Sequence, residues 1–420
     1  MSFTSPVANP MTVWRDVWIA AMTGAVTGLG TFLVMTTLIL TMQEEGQGGL
    51  AVSGLIIAES LPVVLLAAVT GRIADRFDSR LILLVAGALQ IGACLALAGV
   101  HGLGPRILLL TLLCCGTAVV QPTRQALLLT MVTREDLPKA SGLTQTASQI
   151  GTIAGPALAG FAQGALGPQA TLRWAAVAFA GTVVAGLLYR TRRGGAARTP
   201  EHVAAATDKV RLDSLLRVMT VGFAVVVGAV AAVNVVDVFF VKSTLGASSG
   251  AYGLITSMWT VGMIGGTWIT ARLLGRAKDD GAIVIWSFVC LAATSALVVL
   301  GSTMTTIAPV VAIWLAGGVL NGAENTQVFT VFGRRAPEHA RGRLSARMMG
   351  AVQGAALLGY AVGGVALEFW SPRTVLAGGG VAGVVAVIAV TPWIRAAVRR
   401  SRRPVATAEA GTLEPVTVTV

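Results

Sequence analysis

Three acids, Glu59, Asp237 and Glu324, lie inside long stretches that are otherwise apolar. A charged side chain held in hydrocarbon costs several kcal/mol, so an acid kept there is a candidate for binding a solute or carrying a proton. Glu59 falls about 15 Å into its run at about 1.5 Å per residue, which is close to the middle of a bilayer. There the cost falls on the ionised form, as a proton-carrying site requires. Its bland alternative is a neutral acid hydrogen-bonded to a neighbouring helix. Asp237 shares a helical face with Asn234, one turn away, and Lys242 nearby could simply neutralise it. Glu324 and Asn325 fit either a gate or a link to the arginines that follow their run. Gln149 and Gln353 suit cavity lining or interhelical hydrogen bonds. These seven residues form the expected substrate- and proton-binding set.

Other chemistries find no support. Cys94, Cys114, Cys115 and Cys290 sit in apolar runs, without C-x-x-C spacing or a nearby histidine, and read as small buried hydrophobes. His101, His202 and His339 fall in connecting segments. There is no nucleophile–base pair, metal-ligand cluster or phosphate loop, so neither an enzyme nor a cofactor or metal is expected. Without an ATP-binding motif, work must be driven by a gradient.

The elements that position these residues are set by composition. Hydrophobic residues make up 55% of the 420, charged residues 12%, and mean hydropathy is +0.77. Such a chain cannot keep a large surface wet. Apolar runs recur near 17–42, 50–71, 81–100, 107–132, 142–165, 173–189, 216–241, 250–271, 282–301, 304–331, 344–367 and 374–394. The first is too long for a cleaved signal peptide and lacks its small-residue cleavage site. The expectation is an all-α membrane protein with twelve transmembrane helices in two pseudo-symmetric six-helix halves. The boundaries are 1–189 for the first half, 190–214 for a basic linker, 215–396 for the second half and 397–420 for a tail.

The formal charge of +12 does not indicate a nucleic-acid partner, because the basic residues cluster between apolar runs. With both termini placed in the cytoplasm, all but Arg106, Arg173, Lys242 and Arg373 of the 31 Lys and Arg fall on that side, Arg124 included. This is the positive-inside pattern. Ala, Gly and Val abundance with scarce lysine hints at a high-GC bacterial genome, hence a bacterial inner membrane.

The two halves repeat. Gln149, Gly155 and Gly160 meet Gln353, Gly359 and Gly364 at a constant offset of 204, and Gly54-Leu55-Ile56 meets Gly253-Leu254-Ile255. Internal repeats of this kind mark secondary transporters, which place substrate between halves and rock one against the other.

After the second run comes Gly71-Arg72-Ile73-Ala74-Asp75-Arg76-Phe77-Asp78-Ser79-Arg80. This resembles the loop signature of the major facilitator superfamily, in the loop where that family carries it. The resemblance implies a cytoplasmic latch for the outward-facing state, with Gly71, Asp75, Arg76 and Arg80 as its parts. Asp75 can sit against the positive N-terminus of a helix. Gly142, Gly151, Gly155-Pro156 and Gly160 resemble the family's antiporter motif, with Ala159 replacing one glycine. Small residues there allow close helix contact, and Pro156 permits a bend. In the family this motif goes with exporters, and Gly151, Gly155 and Pro156 join the expected conformational switch. The arginine that many drug–proton antiporters carry in the fourth span is missing, since aligning on Gly116 places Leu112 there. Gln121-Pro122-Thr123-Arg124-Gln125-Ala126-Leu127-Leu128, with Leu245-Gly246-Ala247-Ser248 and Tyr252-Gly253-Leu254, is similar to the enterobactin-exporter-like and macrolide-efflux-like branch.

The expected function is gradient-driven, proton-coupled export of a small amphipathic molecule, such as a drug, antibiotic or siderophore-like metabolite. The partners implied are that solute, a coupling proton or other ion, and the lipid bilayer, with a monomeric chain. An importer of the same fold is the alternative, as is a non-transporting membrane sensor of transporter ancestry.

Overall fold

The computed structural model describes residues 12–133, 135–191, 213–274, 279–337 and 341–402. Most of the linker and the tail lie outside the described residues. A chain in hydrocarbon must satisfy every backbone N–H and C=O internally, which leaves apolar runs of this length only the helix. In the first half these are α1 (Trp14–Glu44), α2 (Gly49–Arg76), α3 (Ser79–Gly99), α4 (Leu103–Met131), α5 (Leu137–Leu166) and α6 (Pro168–Leu188). The second half has α7 (Ser214–Thr244), α8 (Ser249–Leu274), α9 (Asp280–Ser302), α10 (Ile307–Arg335), α11 (Arg341–Phe369) and α12 (Pro372–Arg402). Nine helices are long and apolar enough to cross a membrane, counted over the described residues. Of the other three, α2 is counted only as the shorter apolar stretch Gly49–Pro62, and α5 and α8 carry glycines and hydroxyls, with amides in α5, in place of aliphatic residues.

The pairing of helices repeats with a shift of six. α1 packs on α5 and α6, α2 on α4, and α3 on α4 and α6; α7 packs on α11 and α12, α8 on α10, and α9 on α10 and α12. The halves meet mainly through α5 against α8 and α2 against α11, which are two copies of one contact under the same shift. Local signals repeat as well. Asp78 caps α3 by accepting from the Arg80 N–H, and Asp279 caps α9 by accepting from the Gly281 N–H. Gly46 (φ 72°) turns α1 into α2, and Gly246 (φ 63°) turns α7 into α8, a conformation open to glycine at little cost.

The core is continuous at one end and divided at the other. Around Leu33–Met42 of α1, buried residues of both halves form a single cluster, with Leu55, Leu113 and Phe179 on one side and Val236, Phe240, Tyr252 and Trp314 on the other. Toward the opposite end there are two separate clusters. One holds Val17, Leu83 and Leu127 of the first half, and the other holds Leu215, Phe288 and Val331 of the second. Among the described residues, the halves therefore share one core at the Glu44 end and keep separate cores at the Arg15 end.

Candidate functional site

Close contact at the Glu44 end depends on small residues. A Cβ on Gly160 of α5 would run into the Ser249 carbonyl of α8, and one on Gly253 of α8 into the Pro156 carbonyl of α5. Gly151 and Gly155 seat α5 on α1 in the same way, against the Ala25 carbonyl and the Phe32 side chain. The glycines singled out in α5 thus fix two interfaces, one within a half and one between halves. Ser257 Oγ donates to the Ile153 carbonyl at 2.8 Å, and Ser53 Oγ to the Tyr360 carbonyl at 2.8 Å, both across the boundary.

A polar cluster closes the rim. Glu44 Oε1 accepts from Lys242 Nζ at 3.0 Å and from Ser249 Oγ at 2.8 Å, while Oε2 accepts from Gln163 Nε2 at 2.9 Å. Four helix ends, those of α1, α5, α7 and α8, are tied by one carboxylate. Lys242 is therefore committed to Glu44, and the neutralising role for Asp237 considered from sequence falls to no ammonium. Beside it, Arg106 forms a double hydrogen bond with Glu45 at 2.6 and 2.8 Å. The Arg106 guanidinium holds the Glu45 carboxyl below its usual range.

Behind the rim lies a cavity of about 220 Å³, lined from both halves. Its aromatic walls are Phe32 of α1, Tyr252 and Trp259 of α8, Trp314 of α10 and Tyr360 of α11. Its polar groups are Asn234 and Asp237 of α7, with Thr36 and Thr256. Trp314 Nε1 lies 3.4 Å from Asp237 Oδ2, and Asp237 Oδ1 has no hydrogen-bond partner among the described residues. α7 is irregular around this pair: its regular helix is interrupted at Ala231 and becomes a π-turn over Phe240–Thr244. Such irregularities inside a span are tolerated where they face a cavity.

The remaining expected residues separate. Glu59 of α2 is half-buried and lies one turn from Ile56, a wall of the aromatic cavity, without lining it itself. Glu324 is 1% exposed; Asn321 Nδ2 donates to its Oε1 at 2.7 Å, and Oε2 has no partner among the described residues. No arginine reaches it among the described residues, because Arg334 pairs with Asp280 and Arg335 with Asp280 and Asp213. Asn325 donates to the Asn321 carbonyl. Gln149 lines a second, polar cavity in the first half, whereas its repeat partner Gln353 is half-buried on α11. Arg76 is exposed and Arg80 half-buried at the α2–α3 turn; the side chain of Asp75 and the surroundings of Gly71 lie outside the described residues.

Sequence reasoning missed Glu44, Gln163, the aromatic walls and the pocket at Arg124. α4 runs to Met131, as the run 107–132 implied, and Arg124 lies seven residues inside its end, within the bundle.

A twelve-helix bundle with a cavity between pseudo-symmetric halves defines a membrane transporter fold. Residues 20–345 match the Major Facilitator Superfamily, and the chain belongs to that family. Solved structures agree in fold. A bacterial homolog to the human lysosomal transporter Spinster, in an inward-facing and unoccupied conformation, is similar with a TM-score of 0.69 and 12% identity over 92% of this chain and 97% of that one. A peptide transporter POT in complex with sulfate has a TM-score of 0.70 and 14% identity, over 92% and 95%. The nucleoside transporter NupG has a TM-score of 0.71 and 13% identity, over 90% and 99%. No curated protein matches the chain in sequence.

Proposed function

We propose that this transporter exports small amphipathic molecules across a bacterial inner membrane by alternating access, in exchange for protons. The observation that carries the reading is the core, continuous between halves at the Glu44 end and divided at the Arg15 end. The distribution of basic residues assigns the divided end to the cytoplasm, so the conformation described is inward-facing. A solute then enters from the cytoplasm and reaches the aromatic cavity, where ring faces take its apolar body and Asp237 its polar group. Glu59 and Asp237, one from each half and both close to that cavity, are the proton carriers. Export is favoured over uptake by the glycine pattern of α5, which resembles that of antiporters.

Inverted membrane vesicles test this directly. Fluorescent amphipathic amines, acids and neutral compounds are offered with an inside-acid pH gradient. Accumulation that collapses with the gradient, and is lost in Asp237→Asn, is the expected result. Uptake only into right-side-out vesicles would establish an importer, and no gradient-dependent flux of any compound would remove the transport assignment proposed here.

A further inference from the structure

Arg124 is a cation held inside the bundle. Its Nη2 donates to Ser148 Oγ at 3.0 Å and to Gln121 Oε1 at 3.3 Å, both neutral groups. Among the described residues no carboxylate pairs with it. Two acids at that end of the first half have other partners. Asp16 Oδ2 accepts from the Arg190 and Thr191 N–H groups and from Thr191 Oγ1, and Asp136 Oδ2 accepts from Thr12 Oγ1. α1 leaves room for the guanidinium at Gly24, where any Cβ would collide with it. A pocket of about 250 Å³ opens beside it, lined by Gln125, Thr144, Gln145, Gln149 and Thr152. A desolvated guanidinium is expensive to keep unpaired, and this one is surrounded by amides and hydroxyls that stabilise an anion without neutralising the arginine.

We propose that this pocket binds a carboxylate group of the transported molecule. The inference deepens the exporter reading, on which only the word "transported" rests. A single guanidinium offers two parallel N–H donors and one positive charge, which matches a carboxylate in shape and in charge. A phosphate dianion would leave a charge unmatched, since among the described residues no second cation lines the pocket. The pocket is also accessible: Gln121, Gln125 and Gln145 are exposed, at the end where the halves are apart. It and the aromatic cavity lie at successive levels along α1, at Ala20 and Phe32, about 18 Å apart at about 1.5 Å per residue. A carboxylate captured at the first level has an apolar chamber ahead of it.

The test uses the purified full chain in detergent and reads ligand-induced thermal stabilisation, so it needs no transport. The probes are 2-naphthoate, its neutral analogue 2-naphthalenemethanol, and inorganic phosphate. Naphthoate should bind saturably and about tenfold more tightly than the alcohol. Arg124→Gln should abolish that preference while leaving the alcohol unchanged, and Arg124→Lys should recover part of it. If Arg124→Gln does not fold, Ser148→Ala together with Arg124→Lys serves, each lowering the preference severalfold. Equal binding of naphthoate and alcohol, or a preference that survives Arg124→Gln, overturns the proposal. Displacement of naphthoate by phosphate at equal concentration assigns the pocket to a phosphate group and overturns it too. A naphthoate preference with no vesicle export would sink the exporter reading while leaving the anion pocket intact.

Discussion

Lys242 Nζ lies 3.0 Å from Glu44 Oε1, a contact that joins α7 of one half to α1 of the other at the closed rim. The same carboxylate collects Ser249 and Gln163, so a single side chain gathers both halves. With the ammonium engaged there, Asp237 is left to the indole of Trp314 and to the cavity. Closure of the rim and availability of the cavity acid are two consequences of one pairing.

The Glu44 cluster should therefore set the balance between conformations. The ion pair is partly exposed, 38% on the Glu44 side, so it contributes about 0.2–1 kcal/mol, with roughly 1 kcal/mol more from the added hydrogen bonds. Glu44→Ala should shift the open-to-closed ratio at this rim by about tenfold. Spin labels at Gln47 and Ser371, exposed on opposite halves of the rim, should report a longer distance population in the variant. Superimposable distance distributions would reduce the cluster to surface decoration.

The neighbouring pair makes a prediction in pH. Arg106 holds the Glu45 carboxyl below its usual 4.5. A carboxylate depressed in the folded state stabilises the fold above the unfolded value, and that contribution is lost as pH falls through the folded one. Wild-type melting temperature should thus drop between pH 7 and pH 3 more steeply than that of Glu45→Gln, which should already be lower at pH 7. Parallel melting curves for the two proteins across that range would show that the pair contributes nothing to stability.

The spans were legible because hydrocarbon leaves the backbone one solution, and the repeat was legible because both halves keep the same glycine positions. The aromatic cavity was not. Phe32, Tyr252, Trp259, Trp314 and Tyr360 come from four helices, so no spacing along the chain connects them. Glu44 reads as an interfacial charge beside Glu45, and only the packing of α5 on α8 brings Ser249 and Gln163 to it. Arg124 was counted with the cytoplasmic charges by its sign and position near the end of the run 107–132. Spacing along α4 could not show that the polar stretch around it lines a pocket shared with α5.

Glycines of one helix separate packing from composition. Gly253 of α8 meets the Pro156 carbonyl across the boundary between halves, whereas nothing lies within 4 Å of a Cβ built on Gly265. Gly253→Ala should force α5 and α8 apart at a cost of about 1–3 kcal/mol to the closed rim, and Gly265→Ala should be neutral. Accessibility of a cysteine at Ser257, buried at this interface, to a maleimide reads the difference. It should rise severalfold in Gly253→Ala alone, and equal labelling in both would mean that the helices adjust freely there.

The remaining prediction concerns coupling. Glu59 stands near the middle of α2, with Pro62 one turn further on, and no basic residue lies between 50 and 71 to pair with it. Ile56, one turn before it on α2, is a wall of the aromatic cavity. A carboxyl group so placed can exchange its proton only when the cavity admits water, and each conformation opens the cavity to a different side. Protonation on one side and release on the other would couple the movement of the halves to the gradient. Glu59→Gln fixes the neutral form at nearly the same volume. We expect this variant to fold and to bind solute, to lose gradient-driven accumulation in vesicles, and to keep solute exchange down its own gradient. Accumulation at the wild-type level under a pH gradient would leave Glu59 a structural acid, and Asp237 would then carry the proton.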